Sequence, residues 1–232
     1  MIPWLETDDP LPPVTGALTE PNGLLAAGGD LSVPRLLDAY RHGIFPWFSP
    51  GQPILWWSPD PRMALIPHEL RVTRSLAKTL RNRQYEVRAD TRFGAVMRAC
   101  AEPRRDQEST WISDDMMAAC VALHELGIAH SVETWIDGKL AGGLYGVAVG
   151  RMFFGESMFS RVTDASKLAL VHLARQLERW QFGMIDCQMH TPHLASLGAR
   201  AIPRADFMRR LQELVNYRHE PGRWNLDRDL AQ

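Results

Sequence analysis

A chain of 232 residues, 45% hydrophobic and 23% charged, has room for one large domain or for one domain with a smaller companion, and the second arrangement is expected. No apolar run reaches bilayer length, and the N-terminal MIPWLETDDPLPP has neither the basic start nor the apolar core of a secretion signal, so a cytoplasmic protein without a membrane role is expected. The formal net charge of -1 argues against whole-surface affinity for nucleic acid, and three cysteines in apolar settings are too few for a disulfide framework.

The first 30 residues, ending in GLLAAGGD, are rich in proline and glycine and read as irregular structure. LSVPRLLDAYRHG reads as a short helix capped by Ser32, with Pro34 in its first turn and Gly43 at its end. In IFPWFSPGQPILWWSPDPR five prolines alternate with aromatic residues, and a boundary is expected at its end, dividing residues 1–61 from residues 62–232. Helices then alternate with strands: VTRSLAKTLRNR, YEVRAD, FGAVMRACAE and SDDMMAACVALHELG, the last with Ser113 as cap and Gly127 as stop. HSVETWI, KLAGGLYGVAV and MFFGESMF form a meander joined by Asp137-Gly138 and Gly150-Arg151. DASKLALVHLARQLERW is a helix leading into the strand MIDCQM, and IPRADFMRRLQELVNY is a closing amphipathic helix.

Two strands carry acid where apolar residues are expected. In MIDCQM, alternation puts Asp186 and Gln188 on one face and Ile185, Cys187 and Met189 on the other; in MFFGESMF it puts Phe154, Glu156 and Met158 together. An unpaired buried carboxylate is costly, so these groups either form an internal network or line a cleft. If the strand-helix-strand unit makes the two strands neighbours, Glu156, Asp186 and Gln188 line one cleft.

Arg71, Arg74, Lys78 and Arg81 fall on one helical face with no acidic residue between Leu70 and Tyr85, a pattern suited to phosphates. Trp47 and Trp111 are core residues or platforms for stacking on the bases of a single-stranded end. Cys187, His190 and His193 lack a second ligand pair, which argues against a metal site. The glycines at 142, 143 and 146 interrupt a strand and are expected to admit a close backbone or ligand.

Together the segments EPNGLLAAGGDLS, YRHGIFPWFSPGQPILWWSPDPR, TWIS, LHELGIAHSVE, GGLYGVAVGRMFFGESMFS, ASK, IDCQ and ASLGAR resemble the bacterial leucyl/phenylalanyl-tRNA-protein transferases over nearly the whole chain. The resemblance implies an α+β chain: a small N-terminal domain and a larger domain of the acetyltransferase-like GNAT kind, with helices flanking a bent mixed sheet. It implies transfer of Leu or Phe, and less readily Met, from aminoacyl-tRNA to proteins beginning with Arg or Lys. DNA, membrane, cofactor and metal have no part in it. By the same resemblance Asp186 and Gln188 are the catalytic pair, and Trp47 and Trp111, with Tyr40 nearby, hold the terminal adenosine. Leu144, Met158, Leu170, Leu173, Leu177 and Ile185 form the aminoacyl pocket, with Glu156 at its edge. Arg71, Arg74, Lys78 and Arg81 grip tRNA phosphates, while Arg104 and Arg105 have no assigned role.

The expected chemistry has Gln188, held by Asp186, orienting the incoming amine, while the Asp186 charge favours proton loss from it. Glu156 is the candidate partner of the acceptor's basic side chain. An acyl-coenzyme A N-acyltransferase is the first alternative, disfavoured because the link SRVTDASK contains no glycine. A non-catalytic tRNA-binding protein is the second, and it leaves the internal Asp186, Gln188 and Glu156 without a purpose.

Overall fold

The computed structural model describes residues 1–102, 110–218, 221–227 and 229–230. Contrary to the irregular reading of the N-terminus, its first 30 residues supply strands β1 (Trp4–Leu5) and β2 (Leu24–Gly28). After helix α1 (Val33–Arg41) come β3 (Phe45–Pro46) and β4 (Leu55–Trp57), completing a four-stranded sheet in the order β1-β2-β4-β3. Such short strands leave little alternation to read, and their proline and glycine neighbours imitate loop. The Ser32 hydroxyl accepts the Arg35 N–H at the start of α1, and Gly43 adopts φ +69° just beyond its end.

The second sheet begins with β5 (Arg62–Leu65), four residues after the last strand of the first. It continues through α2 (Arg74–Asn82), β6 (Glu86–Ala89), α3 (Phe93–Ala101), α4 (Asp114–Glu125) and the meander β7 (Ala129–Ile136), β8 (Lys139–Val149) and β9 (Met152–Ser160). Helix α5 (Ala165–Arg179) leads to β10 (Met184–Gln188), followed by α6 (Pro192–Ser196), β11 (Arg200–Ile202) and α7 (Arg204–Leu214). The seven strands run in the order β11-β5-β10-β9-β8-β7-β6. Strands β9 and β10 are parallel neighbours, as a strand-helix-strand crossover dictates, while the other described pairs of this sheet are antiparallel. The result is an α+β chain with a mixed sheet covered on both faces.

On one face α5 buries Leu168, Leu170, Leu173 and Leu177 against Val132, Leu144, Phe153 and Ile185. On the other, α3 and α4 contribute Phe93, Val96, Met116 and Leu123 to a core shared with Leu36 and Tyr40 of α1 and with Leu25 and Trp56 of the smaller sheet. The glycines of β8 serve close backbone approach: a Cβ on Gly142 would lie 2.6 Å from the Ala165 Cβ and 2.9 Å from its carbonyl carbon. Glycine at this point lets the start of α5 rest directly on the sheet. Gly142→Ala is therefore expected to lower unfolding free energy by about 1–3 kcal/mol through overpacking. Urea denaturation would measure it, and an unshifted midpoint would refute the packing role.

Candidate active site

Strands β9 and β10 pair from Met152↔Met184 to Phe154↔Asp186 and no further, although β9 continues to Ser160. Beyond that point each strand is irregular. On β9 the partners of Tyr145 and Gly146 are Ser157 and Gly155, which leaves Glu156 as the extra residue of a β-bulge. On β10 the register against β5 shifts between Asp186 and Gln188, and Gln188 adopts φ +60°. Between the parted strands lies a cavity of about 820 Å³.

The bulge overturns one expectation from simple alternation. Phe154 packs into the core on the α3/α4 face, but after the extra residue Met158 packs against the α5-face core opposite Leu144, and Phe159 takes its place on the α3/α4 face. Met158 thus joins Leu144, Phe153, Leu170, Leu173 and Ile185 in an apolar cavity wall. Leu177 is fully buried in the same core and lies outside that wall. Cys187 and Met189, expected to face away from Asp186 and Gln188, line the same cavity because β10 loses its regular pleat there.

Both Trp47 and Trp111 line the cavity. Trp47 is 38% exposed and meets Trp57 edge-on at 5.6 Å, and its carbonyl accepts the Trp57 indole N–H at 2.6 Å. Tyr40 does not join them. It is wholly buried against Phe154, and its hydroxyl donates to Glu156 Oε1 at 3.1 Å, so its ring offers no platform to a base. Arg104 and Arg105 lie outside the described residues.

Asp186 answers the cost of burying a carboxylate through a partner that sequence reasoning missed. Arg62, at the start of β5, donates from Nε to Asp186 Oδ1 at 2.8 Å and from Nη2 to Oδ2 at 2.7 Å. Both side chains are almost wholly buried, at 1% and 0% exposure. The third guanidinium nitrogen donates to the Gly43 carbonyl at 3.0 Å, and Phe45 and Phe207 stack against the cation at 4.7 Å each. Asp186 Oδ1 also accepts the Gln188 backbone N–H at 2.9 Å. The Asp186 carboxylate is thus matched in charge by Arg62 and held in place by three hydrogen bonds.

Glu156 is the free acid of the site. Oε1 accepts from Tyr40 and, at 3.0 Å, from Gln188 Nε2, whereas Oε2 is buried with no hydrogen-bond partner among the described residues. Burial pushes its pKa up to about 7; the Tyr40 hydrogen bond opposes the rise and the Asp186 charge adds to it. Cys187 has its thiol pushed up by burial and then by Asp186, which keeps it protonated and a poor nucleophile. His193, at the rim, has its pKa lowered by burial and then by Lys167.

The basic stripe is exposed, and none of Arg71, Arg74, Lys78 and Arg81 forms an ion pair among the described residues. Arg71 precedes the helix, whose first turn is capped by Thr73, so three of the four lie on α2 itself. Thr79 and Arg83 fasten α2 to Asp164 and Thr163 in the β9–α5 link, beside Ser160 and Arg161 at the cavity mouth.

A sequence model described as "Leucyl/phenylalanyl-tRNA protein transferase" matches residues 64–212, and one described as the N-terminal domain of that protein matches residues 29–60. A protein named leucyl/phenylalanyl-tRNA–protein transferase from Nitrosospira multiformis is 66% identical over 232 residues, covering 100% of both chains. One of the same name from Thiobacillus denitrificans is 69% identical over 216 residues, covering 93% of this chain and 95% of its own. This chain belongs to the leucyl/phenylalanyl-tRNA–protein transferase family. Among solved structures, a GCN5-related N-acetyltransferase from Kribbella flavida aligns at TM-score 0.36 and 13% identity, over 71% of this chain and 58% of that one.

In this family member Arg62 and Asp186 stand or fall together. Asp186→Ala leaves a buried guanidinium unpaired and is expected to cost about 3–5 kcal/mol of stability. Replacing both partners with apolar residues of similar size should recover much of that loss; a double variant as unstable as the sum of the single ones, in urea unfolding, would contradict the pairing. The raised Glu156 value means that the folded chain holds this proton more tightly than the unfolded one. The stabilisation is fully present below about pH 4.5 and is lost as pH rises through about 7. Glu156→Gln should therefore flatten the fall in unfolding free energy between those values, and an equal fall in both proteins would refute the assignment.

Proposed function

We propose that this aminoacyltransferase moves Leu or Phe, and less readily Met, from aminoacyl-tRNA to the α-amino group of proteins with N-terminal Arg or Lys, marking them for degradation through the N-end rule. One observation carries the reading: a single cavity has an apolar wall, a polar pair in Gln188 and Glu156, and two indoles at Trp47 and Trp111. These three features suit the three parts of an aminoacylated 3′ end, namely side chain, ester and terminal base.

Leu144, Met158, Leu170, Leu173 and Ile185 receive the amino-acid side chain. Leucine and methionine side chains adapt to a branched or an aromatic guest, while each methylene missing from a smaller one forfeits about 1–3 kcal/mol. Trp47 and Trp111 hold the terminal adenosine, a contact worth about 1–3 kcal/mol per stacked base. Arg74, Lys78 and Arg81, with Arg71 before them, meet phosphates farther along the acceptor stem.

The aminoacyl ester is already activated, so the reaction requires positioning more than a covalent intermediate. Gln188 acts as the orienting group. Its N–H is anchored on Asp186 and its side chain on Glu156, which fixes its direction before substrate arrives. The coenzyme A alternative fares worse. At the start of α5 stands the Asp164 carboxylate, held by Lys167 at 2.9 Å, and an acid at a helix N-terminus opposes the binding of a pyrophosphate there.

Incubation with labelled leucyl-tRNA and a peptide beginning with Arg is expected to label the peptide without added coenzyme. Leucine-charged tRNAs of unrelated body sequence should serve within about tenfold of one another, because phosphates and the terminal base carry the grip. An unlabelled peptide would overturn the proposal. Strong dependence on the tRNA body would overturn its account of binding.

A further inference from the structure

We propose that Glu156 is the group that takes the proton from the attacking amine, with Tyr40 as its positioning residue; this rests on the transferase reading above. Three geometric facts point to it. Asp186 is wholly buried, its charge is paired with Arg62 and its Oδ1 also accepts the Gln188 N–H, so it is poorly placed to meet the amine. Glu156 projects at a bulge where β9 parts from β10, and it lines the cavity. Its Oε1 is held from two sides, by the Tyr40 hydroxyl and Gln188 Nε2, which leaves the buried Oε2 unpartnered among the described residues. Glu156 then meets the acceptor's amine, not its basic side chain as expected from the sequence.

The step balances without a further reactant. The neutral amine nitrogen bonds to the ester carbonyl carbon, and the proton that nitrogen can no longer keep passes to Glu156 Oε2. As the tetrahedral adduct collapses, the bond from carbon to the ribose oxygen breaks with its electron pair on oxygen. The Glu156 carboxyl returns the proton to that oxygen, giving an amide, a free ribose hydroxyl and an ionised Glu156.

The surroundings suit a group that must both take and give a proton near neutrality. Tyr40 on α1, Cys120 on α4, Tyr145 on β8, Asp186 on β10 and Arg62 on β5 are the titratable or charged groups around it. Burial and Asp186 raise its pKa, while Tyr40, Gln188 and Arg62 lower it, with the balance at about 7. Tyr40, Cys120 and Tyr145 are themselves held protonated well above neutrality, chiefly by burial, so Glu156 is the member of this group that titrates near pH 7.

The test measures the pH dependence of single-turnover transfer from leucyl-tRNA to an Arg-initial peptide. Glu156→Gln preserves an acceptor for Tyr40 and is expected to lower the rate about 100-fold or more with affinity for leucyl-tRNA little changed. Tyr40→Phe removes a hydrogen bond to the ionised acid and is expected to move the rising limb of the profile to higher pH while keeping the high-pH plateau. The acceptor amine titrates equally in every protein, so the difference between profiles reports Glu156. A Glu156→Gln rate equal to wild type, or a limb unmoved in Tyr40→Phe, would overturn the proposal. Failure of the wild-type protein to transfer at all would instead overturn the transferase reading on which it rests.

Discussion

The buried ion pair of Arg62 with Asp186 is the constraint from which the site is built. Two charges taken out of water are costly, and the pair offsets that cost with two parallel charge-assisted hydrogen bonds, a third bond to Gly43 and aromatic faces on both sides. Those partners come from different parts of the chain. Gly43 and Phe45 belong to the smaller sheet and its helix, Phe207 to α7, Arg62 to β5 and Asp186 to β10. The pair thus fastens the N-terminal unit to the cavity floor. Through the Gln188 N–H it also sets the direction of the next polar group, and through Gln188 that of Glu156.

Local irregularity does the rest. A parallel pair of strands that stayed in register would bury Glu156 and Gln188 side by side in a closed sheet. The bulge at Glu156 and the left-handed backbone at Gln188 part the strands, and both side chains then face the gap. A non-glycine residue in that backbone region costs of order 1–3 kcal/mol, which the surrounding hydrogen bonds must hold in place. The same parting places an apolar wall from α5 against the polar pair, so that both line one space.

Much of this was legible in the sequence, for physical reasons that differ by residue. Long periodic segments such as α5 and the β7–β9 meander follow from apolar spacing, and Ser32 and Ser113 cap helices through the hydrogen bonds their residue type suggests. Asp186, Gln188 and Glu156 stood out because carboxylates and amides in apolar strands require a reason. Alternation misled at Met158, because an inserted residue reverses every face beyond it and leaves no mark in composition. Arg62 passed unnoticed because an ion pair spanning 124 residues of sequence has no local pattern. Tyr40 looked like a stacking platform until its hydroxyl was seen on Glu156. The two-residue strands β1 and β3 are too short for periodicity to register.

In the proposed function the ester of the bound aminoacyl end would lie between Gln188 and Glu156, with its side chain against the α5 wall and its base on the indoles. A crystal structure with a non-hydrolysable leucyl-amide analogue of the tRNA 3′-terminal adenosine tests that arrangement directly. The expected result places the leucyl group against Leu170, Leu173 and Ile185, the adenine on Trp47 or Trp111, and the acyl carbon beside Glu156 Oε2, with the Arg62–Asp186 pair unbroken. An analogue bound elsewhere, or an acyl carbon approached by an Asp186 freed from Arg62, would contradict it.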